Sequence, residues 1–282
     1  MRIFLAGATG VVGRLLVPEL VAAGHQVTGL IRRPEAASGL RSQGADSVLA
    51  DVYDASAIAE AVAAAEPDVV MHQLTDLANH DYAGNVEIRK VGTRNLVDAA
   101  LGASVRKVIA QSIAWVYEPG EQPATEETPL DVGASAPRLD SVAGVVALED
   151  IVAEVPEWVV LRYGLFYGPG TWYAKGALMD DAVRNGKLAP NADVTSFLHI
   201  EDAASAAVQA LGWPTGPVNV VDDEPAPGSV WVPAFARSVG AVEPAAVESE
   251  RTPWARGADN HYARKHLKWV PRYPSWRSGF VA

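Results

Sequence analysis

The stretch Gly-Ala-Thr-Gly-Val-Val-Gly at residues 7–13 constrains the fold of this chain more than any other. It follows a short apolar segment, Arg2–Ala6, and precedes a segment of helical periodicity that runs from about Val11 to Ala23. A glycine-rich turn between a strand and a helix leaves backbone N–H groups at the helix N-terminus facing a ligand. The context predicts a dinucleotide pyrophosphate site, and the alternative is a plain strand-to-helix turn.

Each glycine of this loop has an expected role. Gly7 allows a tight turn, Gly10 allows the close approach of a phosphate, and Gly13 allows close packing of the helix on the sheet. The predicted cofactor contacts of the loop are Gly7, Thr9, Gly10, Val11, Val12 and Gly13.

Short apolar segments then alternate with longer segments of helical periodicity. The further predicted strands are Gln26–Ile31, Asp46–Ala50, Asp68–His72, Lys107–Gln111, Trp158–Tyr163 and Pro217–Val221. The predicted helices between them include an Ala-rich helix that ends near Glu66, a helix over Gly84–Leu101 and a helix over Val142–Val155. This alternation favours an α/β doubly wound parallel sheet of the Rossmann type.

The pattern changes after residue 166, where Pro, Gly and Trp become frequent. We therefore predict a cofactor-binding Rossmann domain over residues 1–165 and 196–222, and a small C-terminal substrate lobe over residues 166–195 and 223–282.

Composition narrows the classes of partner and site. The formal net charge of −11 argues against nucleic acid and favours a small-molecule substrate. The chain has no cysteine, which excludes disulfides and thiolate nucleophiles and is typical of a cytoplasmic protein. No uncharged apolar stretch is long enough to span a membrane, so no membrane partner is expected.

The end of the second predicted strand indicates which cofactor is bound. Arg32 and Arg33 stand where an acidic residue would bind the ribose hydroxyls of NAD, and guanidinium groups pair well with a 2′-phosphate. NADP is therefore favoured over NAD, unless both arginines are solvated loop charges. Asp51, after the third strand, is expected to contact the adenine amino group, or it is an ordinary loop carboxylate.

With these residues, the chain resembles an extended or atypical short-chain dehydrogenase/reductase of the NAD(P)-dependent epimerase/dehydratase group. The motifs that carry the resemblance are GATGVVG, VVMHQL, GTRNLVDAA, VVLRYGLFYGPG, SFLHIEDAASAAVQAL, GPVNVVDDEP and KWVPRYPSW. The resemblance implies a Rossmann fold, a bound nicotinamide cofactor and a homodimer formed through the long helix after the fourth strand and the helix near residues 142–155. The further cofactor contacts expected with it are Val52, Gln73, Leu74, Gln111 and Tyr163.

The sequence departs from this family at the expected catalytic positions. Family members usually carry Tyr-x-x-x-Lys, but none of the eight tyrosines here has a lysine four residues later, and alignment puts Ser141 and Val145 at the two positions. The residue three positions before Val116, where the family has Ser or Thr, is Ile113. Ser112 and Tyr117 are therefore the catalytic candidates. The alternative for Ser112 is that its hydroxyl only hydrogen-bonds nearby backbone groups.

Polar aromatic residues suit a flat, partly apolar substrate. The predicted substrate contacts are Trp115, Tyr167, Trp172, Tyr173 and His199, with packing as the alternative for the aromatic residues and helix capping as the alternative for His199. His72, His80, His261 and His266 lack metal-ligand spacing, so no metal is predicted.

The sequence as a whole predicts an NADP-dependent oxidoreductase that acts on a small, aromatic or polyketide-like carbonyl substrate. Two alternatives keep the fold: a non-redox isomerase, lyase or cyclase with a structural cofactor, and an NADP-responsive regulator that resembles the NmrA-like branch.

Overall fold

A computed structural model describes residues 1–77 and 81–281. Its main feature is a seven-stranded sheet. The strands are β1 (Arg2–Ala6), β2 (Gln26–Ile31), β3 (Asp46–Leu49), β4 (Val69–His72), β5 (Lys107–Ile113), β6 (Glu157–Tyr163) and a later strand at Gly216–Val220. Their order, from the last of these, is Gly216–Val220, β6, β5, β4, β1, β2, β3. This is the doubly wound order, and the predicted Rossmann fold is confirmed.

The winding of the sheet changes direction at β1. Ala6 at the end of β1 pairs with Leu30 of β2 on one side and with His72 of β4 on the other, and both pairings are parallel. The carboxyl ends of β1 and β4 therefore flank the topological switch point, which is where doubly wound sheets bind ligands.

Helices connect these strands because apolar residues recur along one face of each helical segment. They are α1 (Gly13–Ala22), α2 (Ala36–Ser42), α3 (Ala55–Ala65), α4 (Tyr82–Glu87), α5 (Thr93–Gly102) and α6 (Arg138–Val152). Asp54 caps α3, because its side chain accepts a hydrogen bond from the N–H of Ala57 at 3.0 Å.

The helix predicted over Gly84–Leu101 is interrupted. Residues Ile88–Gly92 form a π-helical turn between α4 and α5. A π turn inserts extra backbone into a helix and is common at functional sites. Hydrophobic periodicity does not reveal it, since the buried face continues through the turn at Ile88, Arg89 and Gly92.

Contacts divide the chain into two compact units. The first comprises Met1–Ser112, Val132–Leu161 and Ala204–Pro217, and the second comprises Ile113–Asp131, Arg162–Ala203 and Val218–Ala282. The predicted Rossmann domain also includes residues 113–131, 162–165, 196–203 and 218–222, which contacts group with the second unit. Residues 113–131 join that unit because Ala124 pairs with Ala258 and its N–H donates to the carbonyl of Gly257 at 2.9 Å.

The second unit has small sheets and a dense aromatic core. Its further elements are β7 (Leu165–Tyr167), α7 (Leu178–Arg184), β8 (Val194–Thr195), β9 (Phe197–His199), α8 (Ile200–Gln209), β10 (Gly216–Val220, the edge strand of the seven-stranded sheet), β11 (Ala226–Pro227), α9 (Gly228–Val239) and α10 (Trp276–Gly279). Of these, α8 ends in the first unit and β10 begins there. β7 pairs in parallel with β9, and β8 pairs antiparallel with β11. Within the described ranges, no helix has both the length and the apolar character needed to cross a bilayer.

Candidate functional site

The glycine loop between β1 and α1 is shaped by close backbone approaches. Gly7 has φ +96°, and a Cβ placed on it would lie 2.5 Å from the carbonyl oxygen of Gln73. A Cβ on Gly13 would lie 2.1 Å from the carbonyl oxygen of Gly7. Both positions therefore admit only glycine, in agreement with the tight turn predicted at Gly7 and the close packing predicted at Gly13.

The outer part of the loop is open. Thr9 and Gly10 are exposed, Val11 is half-buried, and Val12 is buried at the N-terminus of α1. A Cβ on Gly10 would meet only the carbonyl oxygen of Gly7, at 3.3 Å. The exposed backbone before α1 has the position that a pyrophosphate requires.

Gln73 follows β4 on the other side of the switch point. Its side chain is 5% exposed, and neither its Oε1 nor its Nε2 has a hydrogen-bond partner among the described residues. A buried amide without partners is costly unless a ligand or water satisfies it. Gln73 and the glycine loop therefore fit a dinucleotide cofactor that lies across the ends of β1 and β4.

His72 is held neutral beneath this site. Its Nδ1 accepts a hydrogen bond from the N–H of Leu74 at 3.2 Å, so Nε2 carries the proton and donates to Thr93 Oγ1 at 3.0 Å. Burial, and then the nearby positive charge of Arg89, lower the pKa of His72 to about 4. His72 therefore orders the chain at Leu74 and does not act as a metal ligand or an acid near neutral pH.

The predicted adenosine contacts lie on the ends of β2 and β3. Arg32 and Arg33 are exposed directly after β2. Asp51 is exposed and accepts a hydrogen bond from the N–H of Tyr53 at 3.0 Å, while Val52 is buried and its carbonyl accepts from Asn95 Nδ2 at 2.8 Å. Asp51 thus shapes its own turn with one oxygen, and its contact with adenine stays a prediction.

At the end of β5, the Ser112 hydroxyl is already committed to a partner. Ser112 is fully buried and donates a hydrogen bond to Glu149 Oε1 of α6 at 2.9 Å, while Gln111 is half-buried. A hydroxyl whose proton points at a carboxylate is not poised to protonate a substrate. The structure therefore favours a structural role for Ser112 over the predicted catalytic one.

Ser141 and Val145, which the sequence analysis predicts at the positions of the usual tyrosine and lysine, both lie on α6. Ser141 is half-buried, and Val145 is fully buried in the core of the first unit. Neither side chain forms a proton-transfer pair with the other, since valine has no titratable group.

Sequence reasoning missed Arg89 in the π turn. Arg89 is 5% exposed. Thr93 and Val97, four and eight residues later, are also buried, so the three side chains lie on one helical face. A charged residue on an otherwise apolar helical stripe was the available signal.

Two predicted site residues of the second unit, Tyr117 and Tyr163, are packed in its interior. Tyr117 is 1% exposed, and its hydroxyl is hydrogen-bonded to Asn219 Oδ1 and accepts from Arg162 at 3.0 Å. Tyr117 thus forms a buried structural link, and its catalytic role stays a prediction. Tyr163 is also 1% exposed and donates to the carbonyl of Ala203 at 3.3 Å, and its contact with the cofactor stays a prediction.

The predicted substrate contacts Tyr167 and Tyr173 belong to the aromatic core. Tyr167 is fully buried, with ring centroids 5.1 Å from His199 and 5.3 Å from Phe280. The Tyr173 ring lies 5.2 Å from that of Phe197. These rings are enclosed by other side chains, which favours the packing alternative, and their contact with a substrate stays a prediction.

His199 also has a structural environment. It is 3% exposed, its ring stacks on Tyr273 at a centroid distance of 3.6 Å, and its Nδ1 accepts from the N–H of Glu201 at 3.3 Å. This hydrogen bond favours the capping alternative for His199, and substrate binding by His199 stays a prediction. Trp115 is 37% exposed and Trp172 is half-buried, so these two keep accessible surface and stay predicted substrate contacts.

Fewer than three potential metal ligands converge at any point in residues 1–77 and 81–281. His80, which was considered with the other histidines, lies outside the described residues.

Comparison with known families agrees with this geometry. The model of the NAD dependent epimerase/dehydratase family matches residues 3–220. The chain belongs to this family. Family membership and the reductase and epimerase relatives together make it an NAD(P)-dependent oxidoreductase or epimerase-like enzyme.

Two characterised relatives of this epimerase/dehydratase member span nearly its whole length. A 3-diazoavenalumate denitrifying reductase from a Streptomyces species is 42% identical and aligns over 99% of both chains. A UDP-glucose 4-epimerase from Mycolicibacterium smegmatis is 29% identical over 96% of this chain and 94% of its own. The solved UDP-glucose 4-epimerase of Thermus thermophilus in complex with NAD superimposes with a TM-score of 0.78 at 22% identity, over 100% of this chain and 97% of that chain.

Proposed function

We propose that this enzyme transfers a hydride from a reduced nicotinamide cofactor to a diazo-bearing substrate, with hydrogen replacing N₂. The Streptomyces relative is named for a reduction that removes nitrogen from a diazo compound, and its 42% identity extends over 99% of both chains. This proposal keeps the predicted small, aromatic or polyketide-like substrate but replaces its predicted carbonyl group with a diazo group as the group that is reduced.

The proposed reaction balances without a proton donor. The hydride of NAD(P)H attacks the carbon that carries the N₂⁺ group, a C–H bond forms, and the C–N bond breaks with its electron pair leaving on N₂. The products are the reduced substrate, N₂ and NAD(P)⁺. Reduction of a carbonyl would also require a proton on oxygen, which a general acid usually supplies.

The surroundings of α6 carry this proposal. Ser141 and the core residue Val145 are the residues that we expect at the positions of the usual acid and its lysine, and Ser112 donates a hydrogen bond to Glu149 at 2.9 Å. A site arranged in this way suits hydride transfer that needs positioning of the reactants, and it suits proton-coupled reduction poorly.

Isotope transfer tests the reaction directly. The purified enzyme is mixed with 3-diazoavenalumate and NADPH deuterated at either face of C4, and the product is analysed by mass spectrometry and NMR. We expect one NADPH oxidised per product and deuterium on the carbon that carried the diazo group. Hydrogen from solvent at that carbon, or no turnover above the enzyme-free rate, would overturn the proposal.

Two serine variants test whether a side-chain acid takes part. Ser141→Ala and Ser112→Ala are each expected to slow hydride transfer by less than about tenfold, because loss of a general acid costs about 10² to 10⁴-fold. A loss of a hundredfold or more in either variant, at unchanged cofactor affinity, would assign that serine as the acid.

We also propose NADP as the preferred cofactor. Arg32 and Arg33 are exposed at the end of β2, where a 2′-phosphate would lie. Removing a charge-assisted contact costs roughly 1.5 to 3 kcal/mol, or about one to two decades in affinity. Titration of NADPH and NADH should show a preference for NADPH that disappears in the Arg32→Ala/Arg33→Ala variant. Equal affinities in the unmodified enzyme would assign NAD.

The second candidate function is epimerase-like chemistry with a retained cofactor. The Mycolicibacterium relative, a UDP-glucose 4-epimerase that covers 96% of this chain, favours it. UDP-glucose converted to UDP-galactose, with no net change in absorbance near 340 nm, would establish this function in place of diazo reduction.

A further inference from the structure

Arg89 is a buried cation near the end of β4. It lies in the π turn Ile88–Gly92 and is 5% exposed. Gly144 of α6 faces it, and a Cβ on Gly144 would lie 3.6 Å from Arg89 Cδ, an ordinary van der Waals contact. Its charge acts on His72 at the end of β4 and is itself influenced by Glu149. These residues all belong to the first unit.

Arg89 is 5% exposed, and within the described ranges its guanidinium forms no hydrogen bond or close ion pair, although the carboxylate of Glu149 influences its charge. Burial lowers the pKa of Arg89 to about 10, and the carboxylate of Glu149 opposes this shift, so Arg89 remains charged at neutral pH. Arg94, one turn further on, illustrates the usual arrangement: it pairs with Asp98 at 2.8 Å and with Glu154 at 2.7 Å.

An unpaired buried charge is among the most costly features a fold can contain. Such a charge is retained where a bound ligand pairs with it, and proteins with ligand-binding sites are commonly less stable when the site is empty. A guanidinium presents a planar set of donors that matches two oxygens of an anion.

We propose that the guanidinium of Arg89 binds an anionic oxygen of the substrate, either a carboxylate or a phenolate. The proposal rests on the proposed function only in placing the substrate at the carboxyl edge of the sheet, beside the cofactor site of Gly7 and Gln73. Arg89 is close enough to influence the charge of His72, one residue before Gln73, so an anion bound to its guanidinium would lie near the cofactor site.

Binding of unreactive probes tests the proposal without any diazo chemistry. Calorimetry of the NADP⁺-loaded enzyme compares cinnamate with neutral cinnamamide, and at pH 8.5 compares 4-nitrophenolate with neutral 4-nitroanisole. We expect the anion of one pair to bind about tenfold or more tightly than its neutral partner. The pair that shows the preference identifies the oxygen as carboxylate or phenolate.

Variants of Arg89 assign this preference to its guanidinium. Arg89→Gln and Arg89→Met should abolish it, Arg89→Lys should retain part of it, and Arg94→Gln, which removes a paired arginine from the neighbouring turn, should leave it intact. NADPH affinity should remain within about threefold in every variant. Because removal of an unpaired buried charge relieves a cost, the ligand-free Arg89→Met enzyme should melt about 2–4 °C higher.

Three results would overturn the proposal. They are equal binding of anion and neutral probe by the unmodified enzyme, survival of the preference in Arg89→Gln, and a tenfold loss of NADPH affinity in the Arg89 variants, which would assign Arg89 to the cofactor. The probes carry no diazo group, so a failed hydride transfer leaves these outcomes unaffected.

Discussion

A single methyl group at residue 13 would place a carbon atom 2.1 Å from the carbonyl oxygen of Gly7. Gly13→Ala must therefore displace the start of α1 from the glycine loop. We expect a loss of about 1–3 kcal/mol in stability and about tenfold or more in NADPH affinity, since the loop N–H groups move from the phosphates. Urea unfolding and fluorescence titration of NADPH measure the two effects.

Gly39→Ala is the matched control, because a Cβ at Gly39 meets nothing within 4 Å. Alanine in α2 should leave NADPH affinity unchanged and stabilise the chain by up to about 1 kcal/mol. If Gly13→Ala behaved like Gly39→Ala, the tight packing of the loop would be disproved.

His72 gives the fold a defined response to acid. Its pKa is lowered to about 4 by burial and by Arg89, from 6.5 in an unfolded chain, so the unfolded state binds a proton first as the pH falls. The stability that neutral His72 contributes is complete above pH 6.5 and is lost between pH 6.5 and 4, to a total of about 3 kcal/mol.

The His72→Gln variant isolates this contribution, because glutamine can replace both hydrogen bonds without titrating. Urea unfolding of the two proteins between pH 4.5 and 7.5 gives the free energy of unfolding against pH. The two curves should be parallel above pH 6.5 and diverge below it, because the unmodified chain loses more stability there than the variant. Curves that stay parallel throughout would show that His72 titrates normally.

At the residue scale, the sequence predicts best where backbone geometry selects one amino acid. Gly7 and Gly13 are such positions, because only glycine tolerates the observed approaches. The sequence does not predict the environment of Arg89, Tyr167 and Tyr173 in this way. Arginine and tyrosine occur on surfaces, in cores and in binding sites, and only the folded chain shows that these three side chains are buried.

At the scale of elements, α6 and the π turn meet across Gly144. A Cβ on Gly144 would lie 3.4 Å from Val86 Cγ1, an ordinary contact, so Gly144→Ala should be tolerated and raise stability by up to about 1 kcal/mol. Gly144→Leu should cost about 1–3 kcal/mol because the larger side chain collides with Val86 and Arg89. Thermal melting of both variants measures the difference, and equal melting temperatures would refute this packing.

Strands and helices were predictable to different degrees. β1 and β2 agree with prediction at both ends because apolar, β-branched segments end abruptly at Gly, Arg and Pro. α2 was missed because its seven residues bury only Leu40 and include Gly39, so no periodicity develops. α6 begins at Arg138, four residues before the predicted start, on polar residues that carry no helical pattern.

At the scale of the whole molecule, we expect a homodimer, in which α6 takes part. Val142 and Val145 of the helix predicted to form the interface are fully buried within one chain, so they are not available to a partner chain. Val146 is half-buried and Leu139 is 39% exposed, so both keep accessible surface on α6. Light scattering should give twice the 29.8 kDa chain mass at micromolar concentration. Val146→Glu should shift the protein toward one chain mass, and Val242→Glu, at a residue 89% exposed in the second unit, should not. A single-chain mass for the unmodified protein would contradict the expectation.

The doubly wound topology of the sheet followed from the sequence because alternating strands and helices with right-handed crossovers leave few topologies. The substrate site did not follow, since it depends on contacts between residues far apart in the chain. Ser112 and Glu149, separated by 37 positions, are an example, because their hydrogen bond changes the interpretation of the predicted catalytic serine.

The unpaired guanidinium of Arg89 also offers a way to search for the natural substrate. A compound that binds only the folded protein raises its melting temperature according to its concentration and dissociation constant. A library of acidic metabolites screened in parallel against the unmodified protein and Arg89→Met would yield compounds that protect the first and not the second. Such a differential screen selects molecules that bind through the Arg89 guanidinium, without any assumption about the reaction they undergo.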